Sequence, residues 1–411
     1  MNIKKSLINL RTESFPLVLV FSFIALSFLP DVTRLKNLCI ILIGVMTIIH
    51  IIKDYRTAIS TLNNALFFSV CFFTIAMIYS VIISIDPIQS LKSINKPVIN
   101  SLFLFSFLIP IALYKQKPET IAKLIISSFS LVFLMLLAQD LFLYIEDYQN
   151  GIVAFTNMSH RYFSDGYVFC SPIALCLWHI YKKNTVLHWV CFLVTSLIMI
   201  VFMLGTLARG AWLAALIMSA IIIIINKEKI LALLSILLLA FTVIFLSYYN
   251  GSDGHLLTKK LEQTDSSYRY KNGTQGTALE LIMKNPIKGY GFGNDVYHEV
   301  YNQQVKNNPQ WVFKQSLGPH NVFLAIWFAA GFFGILAIAI MVASAIRTAL
   351  IIYNKKQNIL ISQAALLLIT SFFGWLIIRG NVENVYLNIL GIHFGLLIAL
   401  SFSCKSVNTE Q

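Results

Sequence analysis

Apolar runs recur from one end of this 411-residue chain to the other. They restrict its fold more than any other feature. Most approach the ~20 residues that carry a helix across a bilayer, well beyond the ~10 of a barrel strand. In hydrocarbon every backbone polar group must be satisfied internally, which for runs of this length means helices. Composition agrees: 57% of residues are hydrophobic and 12% charged, against about 25% charged in a soluble domain. The expected fold is an all-α polytopic membrane protein with about twelve transmembrane helices. The spans fall near 15–30, 37–52, 63–84, 97–114, 121–144, 166–181, 186–204, 210–226, 230–249, 321–347, 358–378 and 384–403. One large polar segment interrupts them. The chain therefore divides into residues 1–249 with nine spans, a loop at 250–319, and residues 320–411 with three spans and a short tail.

The formal charge is +13. In a soluble protein such an excess suggests nucleic acid. Here topology accounts for much of it, because cytoplasmic connections collect Lys and Arg, and no nucleic-acid partner is expected. With the N-terminus inside, sixteen Lys and Arg fall on the cytoplasmic side, among them Lys53, Lys115, Lys182, Lys183, Lys227 and Lys356. Seven fall in the short outer connections. Both termini are then cytoplasmic and the 250–319 loop lies outside. The six cysteines sit in or beside apolar runs with no CxxC spacing. They read as small hydrophobes.

The outer loop opens with the turn cluster Asn250-Gly-Ser-Asp-Gly254. A short amphipathic helix is expected at 274–285, with Ala278, Leu281 and Ile282 on one face and Asn285-Pro286 as its stop. Three alternate glycines, Gly289, Gly291 and Gly293, suggest a tight backbone path or close approach to a ligand. A second short helix fits 295–307. Gly318-Pro319 then breaks the chain just before His320.

His320 stands where the polar loop meets an apolar helix. A histidine there either caps the helix or serves as a base held at the edge of the membrane. Its ordinary pKa of ~6.5 leaves it mostly neutral and able to take a proton. Behind it, Gly331 and Gly334 share a helix face where a neighbouring backbone can come close. Four outward arginines accompany it: Arg161, Arg209, Arg269 and Arg379. Each has a plain alternative as an interfacial anchor or structural ion pair, and Arg379, with Glu383 close by, suits that alternative. Arg209 suits it less. No acid lies within twenty residues before it or in the span that follows, and an arginine so near hydrocarbon needs a partner. A diphosphate would accept its planar fork bidentately.

The acids are few and scattered. No nucleophile elbow, paired carboxylates or metal-ligand spacing appears, so neither metal nor cofactor is expected. The available tools are cations and one base. They suit displacement of a diphosphate leaving group by a sugar hydroxyl.

These residues resemble the O-antigen ligase family, within the superfamily of O-antigen ligases and polymerases. That family carries His, then Asn/Ser/Gln, nine residues, Gly, two residues and Gly/Thr/Tyr. His320, Asn321, Gly331 and Gly334 match each fixed position, and Arg209 with Leu213 matches its Arg-x-x-x-Leu. The resemblance covers nearly the whole length. It implies transfer of O-antigen polysaccharide from undecaprenyl diphosphate to lipid A–core, on the periplasmic face of the inner membrane, without metal or ATP. It implies that His320 activates the acceptor hydroxyl, that Arg209, Arg269 and Arg161 hold the donor diphosphate, and that the anomeric centre is inverted. Membrane-facing spans would hold the polyprenyl and acyl tails. An O-antigen polymerase and a protein O-oligosaccharyltransferase share this chemistry. A polyprenyl-glycan flippase is the alternative of another class, with Asp140 as the clearest charge inside a span.

Overall fold

The structure is a computed structural model that describes residues 2–181, 185–248, 269–355, 358–383, 385 and 387–409. The expected turn cluster at 250–254 and the basic side chains Lys182, Lys183 and Lys356 lie outside them. Among the described residues all regular structure is helical. The order is α1 Asn2–Leu26, α2 Thr33–Lys53, α3 Tyr55–Ser60, α4 Ala65–Ile82, α5 Pro87–Ala112, α6 Pro118–Gln149, α7 Ser164–Cys170 and α8 Ile173–Ile180. Then come α9 Val186–Gly205, α10 Arg209–Ile225, α11 Lys229–Tyr248, α12 Thr274–Lys284, α13 Asn294–Val305, α14 Val322–Asn354, α15 Ile359–Asn381 and α16 Asn388–Thr409.

Among the described residues, eight of these are long and apolar enough to cross a membrane: α2, α4, α5, α6, α9, α14, α15 and α16. Ser14–Leu26 and α10 are shorter apolar helices. Their starts follow local chemistry. Asp86 accepts from Gln89 N with Pro87 in the first turn, and Asn64 accepts from Leu66 N, satisfying amides that a helix start leaves open.

Two further expected spans differ in form from what is found. Residues 166–181 are not one helix but α7 and α8, meeting at Ser171-Pro172, because proline supplies no amide to continue the ladder. Helix α5 begins at Pro87, ten residues before the expected 97. Its first turns carry Lys92, Asn95 and Lys96, which hide the helix from a hydropathy reading. A π-helical stretch, Asn95–Phe103, follows within it.

The chain forms two compact units. The first comprises Met1–Ile125, Ser266–Ile369 and Gly380–Gln411. Here α14 packs along α4, and α16 along α5. The second pair is close because Gly391 and Gly395 of α16 face the α5 backbone; a Cβ on Gly395 would lie 2.6 Å from the Phe105 carbonyl. Helices α12 and α13 have a small core of their own. Ala278, Leu281 and Ile282, expected on one face, are fully buried against Val296, Tyr297, Tyr301 and Trp311. That core ends on Phe328 of α14. The second unit comprises Ile126–Asp265 and Thr370–Arg379. In it α10 packs against α7 and against the π-helical stretch Phe373–Ile378 of α15, where Gly374 makes room for Met218.

Candidate functional site

The loop before α14 sets the backbone of His320. Gly318 has φ 82°, Pro319 follows, and His320 itself has φ 47°. A non-glycine residue in the left-handed region is held there by its surroundings, and such positions gather at functional sites. The next residue, Asn321, starts the helix: its Oδ1 accepts from Phe323 N at 2.9 Å and Leu324 N at 3.1 Å. Its Nδ2 donates to the Asn381 carbonyl at 3.3 Å. The motif asparagine is thus an N-cap that also ties α14 to residue 381.

A residue that the sequence reading did not single out holds this corner together. The Gln275 amide nitrogen donates to the His320 carbonyl at 3.2 Å and to the Asn381 carbonyl at 2.9 Å. The Gln275 and Gly276 main-chain amides donate to the Arg269 carbonyl, at 2.7 and 3.2 Å. Arg269 and His320, fifty-one residues apart in sequence, are therefore joined through one glutamine in the first turn of α12. No local pattern marks Gln275; its partners are main-chain oxygens distant in sequence.

The close neighbouring backbone expected at the motif glycines is found at Gly331, which lies against Ile287, but not on a regular helix face. Gly331 is not helical: φ 59° and ψ −149° place a kink inside α14. The carbonyls of Phe328 and Ala329 turn outward and accept from Tyr290 N at 2.8 Å and Gly291 N at 3.0 Å. Phe332 N donates to the Ile287 carbonyl at 3.2 Å in place of a carbonyl of its own helix. A Cβ on Gly289 would lie 2.6 Å from Gly331 N. The close approach expected of Gly289 and Gly291 is thus to protein: the α14 backbone at Gly289 and Ser84, its side chain foremost, at Gly291. Gly334 is helical and packs against Ile326 and Ala330 of its own helix.

Arg161 and Arg209 belong to the second unit. Arg161 sits in the 3-10 turn Met158–Phe163 beside fully buried His160. The His160 ring bonds Asp140 through Nδ1 and Asp147 through Nε2 at 3.0 Å. Tyr167 donates to Asp140 at 2.9 Å, and Asn157 donates to both Asp147 oxygens at 2.8 and 2.9 Å. Burial lowers the His160 pKa, but the bonds and negative charge of the two aspartates outweigh it and the net direction is upward. Asp140 is accordingly an anchor for the His160 turn.

Arg209 begins α10, behind Leu207 at φ 51°. No side chain caps this helix start, since its N-cap is Ala208. Amides at such a terminus favour an anion. Tyr144 joins the two arginine-bearing turns: it stacks on His160 at 3.8 Å, contacts Phe155 and Phe202, and fits against Gly205. Phe155 in turn packs on buried Leu207. Leu213 lies one turn into α10 and is half exposed. Arg379 bonds Asp165 and Ser164 within the same unit, in keeping with the structural ion pair.

A helical chain with eight membrane-length apolar helices among its described residues is a multi-pass membrane protein. Residues 191–339 match the family model described as O-Antigen ligase. That stretch includes Arg209, Arg269, His320 and both motif glycines. A curated O-antigen ligase of Salmonella typhimurium (strain LT2) is 42% identical over 385 residues, covering 93% of this chain and 94% of that relative. The chain belongs to the O-antigen ligase family and is a glycosyl-transferring enzyme.

Proposed function

We propose that this enzyme transfers O-antigen polysaccharide from undecaprenyl diphosphate to lipid A–core on the periplasmic face of the bacterial inner membrane. His320 takes the proton of the acceptor hydroxyl. The hydroxyl oxygen attacks the anomeric carbon, and the bond from that carbon to the diphosphate oxygen breaks. The electron pair leaves with undecaprenyl diphosphate. Attack opposite the leaving group inverts the anomeric centre. Arg209, Arg269 and Arg161 bind the donor diphosphate and stabilise the charge it gains. Asn321 and Gly331 support His320 through the start and kink of α14. The reaction uses no metal and no cofactor.

The observation that carries this reading is the corner at residues 318–321. A ring able to accept a proton stands on a backbone fixed at a helix entry, with the Arg269 turn joined to it through Gln275. A base must be held in this way. We read the topology as about twelve spans with both termini cytoplasmic. Residues 1–249 then hold nine spans, 250–319 the periplasmic loop, and 320–411 the last three.

The test is reconstitution of the full chain in vesicles with purified carrier-linked glycan and glycan-free lipid A–core. The expected product is glycan-bearing lipid A–core of inverted linkage, formed at the same rate in EDTA. Extension of the glycan on its carrier, with nothing joined to lipid A–core, would replace ligase by polymerase. Movement of the carrier-linked glycan across the vesicle without bond formation would replace it by flippase.

A further inference from the structure

We infer that Gln275 is a positioning residue for His320, a role that rests on the reading of His320 as the base. Its side-chain amide carries two donors. They go to two carbonyls on separate segments: His320 at the head of α14, and Asn381 at the end of α15. The Asn381 carbonyl also receives Asn321 Nδ2, so residues 275, 320, 321 and 381 form one hydrogen-bonded knot. His320 needs that fixture. Its φ of 47° is unfavourable for a residue with a side chain, and relaxation to an ordinary backbone would swing the imidazole away. A carbonyl clamped from outside prevents the swing.

The clamp separates two functions within one residue. The main-chain amides of Gln275 and Gly276 hold the Arg269 carbonyl whatever side chain stands at 275. Among the described residues, the side-chain amide donates to residues 320 and 381. Substitution at 275 should therefore disturb proton transfer and spare recognition of the diphosphate. Donor capacity should also matter more than shape. Glutamate copies the outline of glutamine but turns an acceptor toward two carbonyl oxygens. Lysine differs in outline but donates to both.

The experiment compares Gln275→Leu, Gln275→Glu, Gln275→Lys and His320→Ala as purified full-length proteins, with carrier-linked glycan and lipid A–core as substrates. Monodispersity and melting temperature serve as fold controls. Gln275→Leu and Gln275→Glu are expected to lose about ten- to a hundredfold in kcat, the scale of a misplaced reacting group. Their KM for the glycan donor should stay within about twofold, as an intact Arg269 clamp requires. Gln275→Lys should retain more kcat than Gln275→Glu. If His320→Ala is inactive while Gln275→Leu transfers at the wild-type rate, the positioning role is wrong and the base assignment stands. If the donor KM rises at constant kcat, or Gln275→Glu outperforms Gln275→Lys, the clamp does not act on His320. Wild-type transfer by His320→Ala would remove the base itself.

Discussion

Gly331 lies against Ile287: a side-chain carbon on Gly331 would collide with the Ile287 carbonyl, and the next amide, Phe332 N, donates to that same oxygen at 3.2 Å. The contact turns a break in α14 into a joint. Carbonyls that the kink frees find partners in residues 290 and 291, so little hydrogen bonding is lost inside the membrane-length helix. The polar segment and α14 are thereby locked in register, which fixes the approach to His320 eleven residues earlier.

Gly331→Ala should therefore be strongly destabilising. The backbone at φ 59° and ψ −149° belongs to a region that is essentially glycine's alone. Strain of about 1–3 kcal/mol would add to the collision with Ile287. Thermal unfolding in detergent should show a lower melting temperature, with transfer falling in parallel. Gly334→Ala should lose less, because Gly334 keeps a helical backbone. Equal melting temperatures for Gly331→Ala and wild type would contradict the joint.

His320→Gly should separate fold from chemistry. Glycine adopts the left-handed backbone without penalty, so this variant should melt no lower than His320→Ala. Both should lose transfer by about 10²- to 10⁴-fold, the usual contribution of a positioned base. The check is product formation beside a melting curve for each protein. Substantial transfer by His320→Gly would show that the ring is not needed.

Much of this architecture could be read from the chain because its causes are local. Hydropathy located the long helices, and the 3.6-residue period placed Ala278, Leu281 and Ile282 on one buried face. His320 stood out because it sits where the polar loop meets an apolar run, and Asn321 entered with the family motif. What escaped depended on partners distant in sequence. The Gly331–Gly334 spacing pointed to a close neighbouring backbone, but nothing near it announced that the helix breaks at Gly331. Gln275 was silent because main-chain carbonyls leave no trace in composition. The Asp165 partner of Arg379 was hidden by its distance in sequence, while Glu383 stood nearby to suggest another.

The His160 cluster should give the protein a pH-dependent stability. Held between Asp140 and Asp147, with Tyr144 and Tyr167 around them, His160 has its pKa raised in the folded state. Its contribution is then fully present below the ordinary value of ~6.5 and is lost as pH climbs through the raised one. The melting temperature should fall as the pH is raised above neutrality. His160→Gln, which leaves two buried aspartates without their cation, should cost about 3 kcal/mol at pH 6 and show a flatter profile above it. Parallel profiles for the two proteins would exclude His160 as the titrating group.

Arg209→Lys tests whether the start of α10 recognises a diphosphate or only carries a charge. Lysine keeps the charge but offers a point where arginine offers a planar fork, and it cannot bond two phosphate oxygens side by side. The uncapped amides of α10 remain in either case, so binding should weaken rather than vanish. We expect donor KM to rise about tenfold, the loss of one good charge-assisted bond at roughly 1.4 kcal/mol. Acceptor KM should hold, and free undecaprenyl diphosphate should inhibit the variant less than wild type. An unchanged donor KM with weaker acceptor binding would move Arg209 to the lipid A–core side of the reaction.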